Sequence, residues 1–269
     1  MTVKEEIDTD QLVHQFDYRS GYRVGALYMP NKNRSFELSY LEIGEWKASR
    51  VENGPHNLSF PFDNSSYTTD FVNAKRAEAT YHSRFNNWEL NYWRHVTPRR
   101  GDYFSVSGIF GFRFIDLRER CLVQFTRGQD MSDYAIHTKN HLYGAQIGGN
   151  LQINPTRFWS WDATVKVGGL INRAQQDTFL GDKNNTVVLR DFDHRQYRWT
   201  YFGTAQLALA YQLWSHLNMH GGYEMLYLSG VALAPEQIDK HTSPASGKRL
   251  DARGNALIHG LFAGITLGF

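Results

Sequence analysis

Residues 143–172 read YGAQIGGNLQINPTRFWSWDATVKVGGLIN. Tyr143, Ala145, Ile147, Gly149, Leu151 and Ile153 occupy the odd positions, and Gly144, Gln146, Gly148, Asn150, Gln152 and Asn154 the even ones. After Asn154-Pro155-Thr156-Arg157 the alternation resumes. Trp159, Trp161, Ala163, Val165, Val167, Gly169 and Ile171 stand against Ser160, Asp162, Thr164, Lys166 and Asn172. A strict period of two sends successive side chains to opposite faces of a strand, whereas a helix would group apolar residues three and four apart. Each run is about ten residues long, the length of a tilted strand crossing a hydrocarbon layer. Soluble sandwiches use strands of about five or six residues. The stretch therefore predicts a transmembrane β-hairpin.

The same signature recurs along the chain. Phe104, Val106, Gly108, Phe110, Phe112 and Phe114 form one apolar row, and Trp199, Tyr201, Gly203, Ala205, Leu207, Leu209, Tyr211 and Leu213 another. Strands are predicted near 17–29, 34–48, 74–96, 103–126, 134–154, 158–180, 197–214, 217–233 and 256–269. Connections at 30–33, 98–102, 154–157 and 215–216 are short, and those at 51–73, 127–132, 181–196 and 234–255 are long and polar. Alternating short turns and long loops is the habit of an antiparallel up-and-down transmembrane β-barrel. Nine strands are visible, while bacterial single-chain barrels carry even numbers, so about ten are expected, with the missing one at or before the N-terminus. Residues 17–269 are read as the barrel, and 1–16 as a poorly ordered segment or part of a first strand. Within 74–96 the apolar side changes between Phe85 and Trp88, which predicts a one-residue bulge at Asn86-Asn87, with a separate hairpin turn as the second reading.

Composition agrees. The 269 residues are 41% hydrophobic, the mean hydropathy is −0.52, and no run approaches the roughly 18–20 apolar residues of a membrane helix. A barrel meets lipid at every second residue, so a polar average is what it requires. Aromatics make up 14% of the chain and glycines number 23, suiting membrane interfaces and crowded bends in a closed sheet. A net charge of +2 offers no basic field for nucleic acid. Cys121 is alone, so neither an intrachain disulfide nor a CxxC site can form. The opening MTVKEEIDTD is not the basic-then-apolar export signal this class needs, so the start is expected to be processed or cut.

Several stretches carry a family resemblance: GGYEMLYLSGVALAPEQI (221–238), ALIHGLFAGITLGF (256–269), GIFGFRFIDLRE (108–119) and Glu89-Leu90-Asn91. The chain resembles a planctomycete-type family of outer-membrane β-barrel proteins. More distantly it is similar to the Legionella pore-forming and chlamydial major outer-membrane proteins. The resemblance implies an outer-membrane barrel and says little about activity.

On the strand phase, Arg23, Glu37, Arg84, Glu89, Arg113, Asp162, Lys166 and Glu224 face the lumen, with His82 and Asn91 among them. A charged constriction would set ion selectivity. A barrel of eight to ten strands has little free bore, however, so acids and bases are expected to pair across it, Arg113 with Glu89 first. Hydrolase chemistry at the outer rim is the alternative, and it would need a nucleophile beside a base. Ser83 and His259 both fall on apparent lipid-facing rows, and Asp191, Asp193 and His194 on a loop read as solvated surface. There is no phosphate-binding Gly loop and no metal-ligand spacing. A structural or narrow-pore outer-membrane barrel without catalytic activity or cofactor is expected. Its partners would be outer-membrane lipid, the barrel-insertion machinery and a further copy or envelope protein.

The row Leu261, Ala263, Ile265, Leu267, Phe269 ends on an aromatic carboxylate, the form of an insertion signal. Phe269→Ala is expected to lower the yield of inserted protein in cells while leaving detergent-refolded protein nearly as stable, checked by fractionating membranes beside a denaturation curve.

Overall fold

The computed structural model describes residues 18–64, 66–96, 103–156, 158–243 and 246–268. Nine strands form one antiparallel meander in chain order: β1 (Gly21–Asn31), β2 (Arg34–Leu58), β3 (Ala74–Val96), β4 (Phe104–Arg127), β5 (Asp130–Ile153), β6 (Trp159–Asp182), β7 (Val187–Trp214), β8 (Leu217–Val231) and β9 (Gly254–Leu267). The sheet curls far enough for side chains to reach between its two ends. Arg23 on β1 reaches Glu224 on β8 at 2.5 Å, and its guanidinium lies 6.0 Å from the Phe262 ring centre on β9. Among the described residues no ladder joins β1 to β9, and both run in the same direction. The expected tenth strand and the 1–16 segment fall outside the described residues, as does Phe269.

Register aligns the outward aromatics. Val24, Tyr40, Trp88, Phe114, Tyr143, Ile171 and Trp199 are successive cross-strand partners from β1 to β7. At the other edge Phe104, Ile153, Trp161 and Leu209 do the same. Between these borders the outer face carries Phe110, Phe112, Ile147, Leu151, Val165, Val167, Tyr201 and Leu207, all exposed. From Tyr143 to Ile153 the strand covers about 33 Å, which at a tilt of about 40–45° gives ~25 Å of depth. That is the height of a lipid-facing belt.

Strands β2 to β7 continue far beyond the belt at the long-loop end, and there the apolar side inverts. The inward residues become Ala77, Ala79, Tyr81, Cys121, Val123, Phe125, Tyr134 and Ile136, all buried, while the outward ones turn polar. Strands β1, β8 and β9 stop short, so the extension is a half-shell whose concave face needs a cover. Residues 59–73 and 232–253 supply it. Phe60, Phe62, Tyr67 and Phe71 from the first loop, and Ala234 and Ile238 from the second, pack into this core.

The inversion explains three differences from the sequence reading. No slip occurs at Asn86-Asn87, since β3 and β4 stay in register from Arg76↔Thr126 to Val96↔Val106. The bulge lies on β2, where Gly44 and Glu45 together oppose Arg84. The change of apolar side near Phe85 marks the membrane border rather than a change of parity. Nor are 127–132 and 181–196 long loops. Gly128, at φ +68°, turns β4 directly into β5, and Lys183, Asn184 and Asn185, all at positive φ, turn β6 into β7. Outside the bilayer both faces of these strands are polar or loop-covered, so the two-residue signal fades.

Val165 lies outward in mid-belt, and its neighbour Lys166 points inward to Glu89. Val165→Arg is expected to cost about 2–4 kcal/mol at that depth, while Val165→Leu leaves stability nearly unchanged. A folding titration in lipid vesicles reads the difference.

Candidate functional site

The lumen within the belt is organised around one carboxylate. Glu89 projects inward from the middle of β3. Its Oε1 accepts from Arg113 Nη2 (2.5 Å) and Asn87 Nδ2 (3.1 Å), and its Oε2 from Lys166 Nζ (2.6 Å), Asn91 Nδ2 (3.1 Å) and Gln146 Nε2 (3.1 Å). Four strands, β3 to β6, thus converge on one side chain. Arg113 is 1% exposed and Glu89 5%, so both charges have left water, which is tolerable only with this degree of pairing. Arg113's register partner is Gly144. A Cβ there would strike the carbonyl oxygen of Gly169, so the sheet bends closely at this point. On its other side Arg113 stacks 4.5 Å from the Phe202 ring centre, a favourable cation–π contact.

Toward the short-turn end, Glu37 accepts from Trp93 Nε1 (2.8 Å) and Asn91 Nδ2 (3.1 Å). Toward the long-loop end an apolar layer crosses the lumen: Phe85, Ile115, Leu117, Leu142, Leu170, Phe202, Leu226 and Leu228 form one cluster with Val231. Above it lies the second loop, fastened by side chains. Asn140 donates to Ala232 O (2.8 Å) and accepts from Ala232 N (2.8 Å), Asn172 donates to Gly230 O (3.1 Å), and Glu119 accepts from Ala234 N (2.9 Å). At the top Arg190 lies among Phe62, Tyr67 and Tyr134 and donates to the carbonyls of Asp239 and His241. One cation thereby binds the two loops to the wall.

An inward polar cluster inside a curled antiparallel sheet with a lipid-height apolar belt is the anatomy of a porin-type barrel. The family model described as "Putative beta barrel porin-7 (BBP7)" matches residues 5–248. The chain belongs to the beta barrel porin-7 family. No curated protein matches it.

Of the eight lumen residues expected from this porin-family sequence, Arg113, Glu89 and Lys166 meet at the centre, and Arg23 meets Glu224 beside them. Glu37 lies one layer toward the short-turn end. Asp162 is also inward and accepts from Ser160 at 3.2 Å, apart from the cluster. Arg84 is a correction. It projects outward and pairs with Glu42 at 2.7 Å, because β3 keeps one parity where a slip was expected; His82 moves outward with it. Ser83 is likewise reversed. It is buried in the interior and donates to Glu119 (3.3 Å), whereas His259 lies on the outer face against Tyr223. The two stand on opposite sides of the wall and cannot act together. Asp191, Asp193 and His194 lie within β7 rather than a loop, and no group of three potential metal-binding side chains forms among the described residues. Sequence reasoning passed over Gln146, which its even position in a Gly-rich row could have marked, and the loop-holding Asn140, Asn172, Glu119 and Arg190.

Glu119 sits about five residues beyond the aromatic border, outside the membrane belt. Burial pushes its carboxyl up to about 7, against the opposing hydrogen bonds from Ala234 N–H, Tyr81 and Ser83. A carboxyl raised in the folded state holds its proton where the unfolded chain has lost it. Its contribution to stability is therefore complete below the ordinary carboxylate range and is lost as pH rises to about 7. Denaturation midpoints in detergent are expected to fall across that window, and Glu119→Gln is expected to flatten the decline.

Proposed function

We propose that this chain is an outer-membrane barrel protein with a closed or very narrow bore, structural in role and without catalytic activity. The observation that carries the reading is the apolar layer from Phe85 to Leu228, which spans the lumen between two polar zones and lies beneath a packed loop. A hydrated ion crossing it would surrender its water shell against leucine and phenylalanine side chains, a barrier of the kind that closes pores by dewetting. The Glu89 cluster supports the same reading. Its charges answer one another, so they present no single-sign ring to a passing solute. The apolar belt supports lipid as the surrounding medium and the outer membrane as the location. The barrel-insertion machinery is the partner such a protein would need.

In a planar bilayer the unaltered protein is expected to give small conductance steps or none. Large, stable, voltage-insensitive steps would restore an open-pore function. Arg113→Ala leaves Lys166 as the one cation bonded to Glu89 and a void under Phe202. It is expected to lower unfolding stability by about 3–5 kcal/mol with no gain in conductance, read from denaturation in micelles and from the same bilayer recording.

A further inference from the structure

The outer face just beyond the aromatic border carries an arrangement that the closed-bore reading does not use. Four residues past the border, Arg84, Arg118 and Lys139 are direct cross-strand partners on β3, β4 and β5. Gln175 and then Arg195 continue the row on β6 and β7. In the next row out, Arg120 lies opposite both His82 and His137. In the row nearer the border, Arg173 lies opposite His141 and Tyr197. Like charges placed directly opposite in an antiparallel ladder oppose pairing of the strands. Three adjacent strands nonetheless present cations to one another here.

The acids nearby offset this only in part. Glu42 holds Arg84 (2.7 Å), Asp116 holds Arg118 (2.8 Å), Asp177 holds Lys139 (3.4 Å) and Asp193 holds Arg195 (3.0 Å). These four cations remain 43–55% exposed, where an ion pair contributes little and exchanges readily. Arg120 and Arg173 are exposed and have no acid partner among the described residues. With Lys47 and Glu45, which meet each other and His82 at the β2 edge, seven permanent cations face five carboxylates. On each strand, positions two, four and six residues past the border stand about 5, 10 and 15 Å above it, the first within a phospholipid headgroup layer and the others at the level of a longer, sugar-bearing headgroup. Arginine also suits phosphate by its forked donors.

We infer that the outward face of β3 to β7, centred on Arg118 and Arg120, binds the phosphate groups of a lipid headgroup in the leaflet at the long-loop end. The inference rests on the membrane orientation proposed above. Acyl chains would lie along the belt below, against Phe112, Phe114 and Tyr143, while the phosphates bridge cations that otherwise repel. Burial first and Arg120 next hold the His137 imidazole below its ordinary range, in keeping with a locally positive surface.

The test uses the full chain in neutral-detergent micelles and a fluorescent bisphosphorylated diglucosamine lipid, read by anisotropy. The same lipid with its phosphates removed, and inorganic phosphate as competitor, complete the set. Affinity for the phosphorylated lipid is expected to exceed that for the stripped lipid by about tenfold and to weaken with salt. Arg118→Gln/Arg120→Gln is expected to abolish that preference, and Arg76→Gln, far above the border on the same face, to retain it. Folding of each variant is checked by gel mobility with and without heating. Equal affinity for both lipids, an unchanged preference in the folded double variant, or displacement by millimolar inorganic phosphate would each overturn the lipid site. Insertion into plain phosphatidylcholine vesicles separates the two ideas. A chain that inserts yet ignores phosphates loses only the lipid site, and one that fails to insert loses both.

Discussion

A sheet of nine strands curls tightly, so a charge that a strand points inward must find its partner within the protein. The rest of the structure follows from that requirement. Glu89 cannot be ionised in the middle of the lumen without donors, and it draws Arg113, Lys166, Asn87, Asn91 and Gln146 from four strands. Those strands in turn must hold the register that places the donors, and Gly144 must lack a side chain where β6 passes close by. Unpaired, any of these buried charges would cost several kcal/mol. Paired, they tie neighbouring strands together.

The same requirement acts differently along the height of the barrel. Within the lipid belt the outer face must be apolar and the inner one can be polar. Beyond the belt the outer face meets water, and the apolar residues move inside. Strands β3 to β6 keep a single parity through this change. At the long-loop end the half-shell of β2 to β7 would expose its concave apolar face, and the loops with Phe60, Phe62, Phe71 and Ala234 close it. The loops are therefore part of the core. Their fastening to Asn140, Asn172, Glu119 and Arg190 satisfies backbone groups that burial would otherwise leave unpaired.

Much of this was legible in the residues. The belt portions of β4 to β9 could be read from alternation because lipid on one side and polar contacts on the other impose the strongest contrast a strand can carry. The neighbourhood of Arg113 and Glu89 followed from phase and from the need to neutralise. The tops of the strands were not legible. In the 187–196 stretch, Phe192 is the one apolar residue from Arg190 to Gln196, which looks like a loop, and only cross-strand hydrogen bonding identifies it as β7. Arg84 and Ser83 were assigned to the wrong faces for the related reason that an apolar switch at a membrane border mimics a bulge.

Sequence by itself determined the class: a period of two over membrane-length runs with short and long connections in turn admits an antiparallel transmembrane barrel and little else. It also determined which residue types had to be neutralised inside. Only the tertiary structure decided that the bulge belongs to β2, that two loops fill the half-shell, and that Glu89 gathers its donors from four strands. Those outcomes depend on register and on the curl of the sheet, which bring together residues as far apart as Arg23 and Glu224, and no local pattern of side chains records such distances.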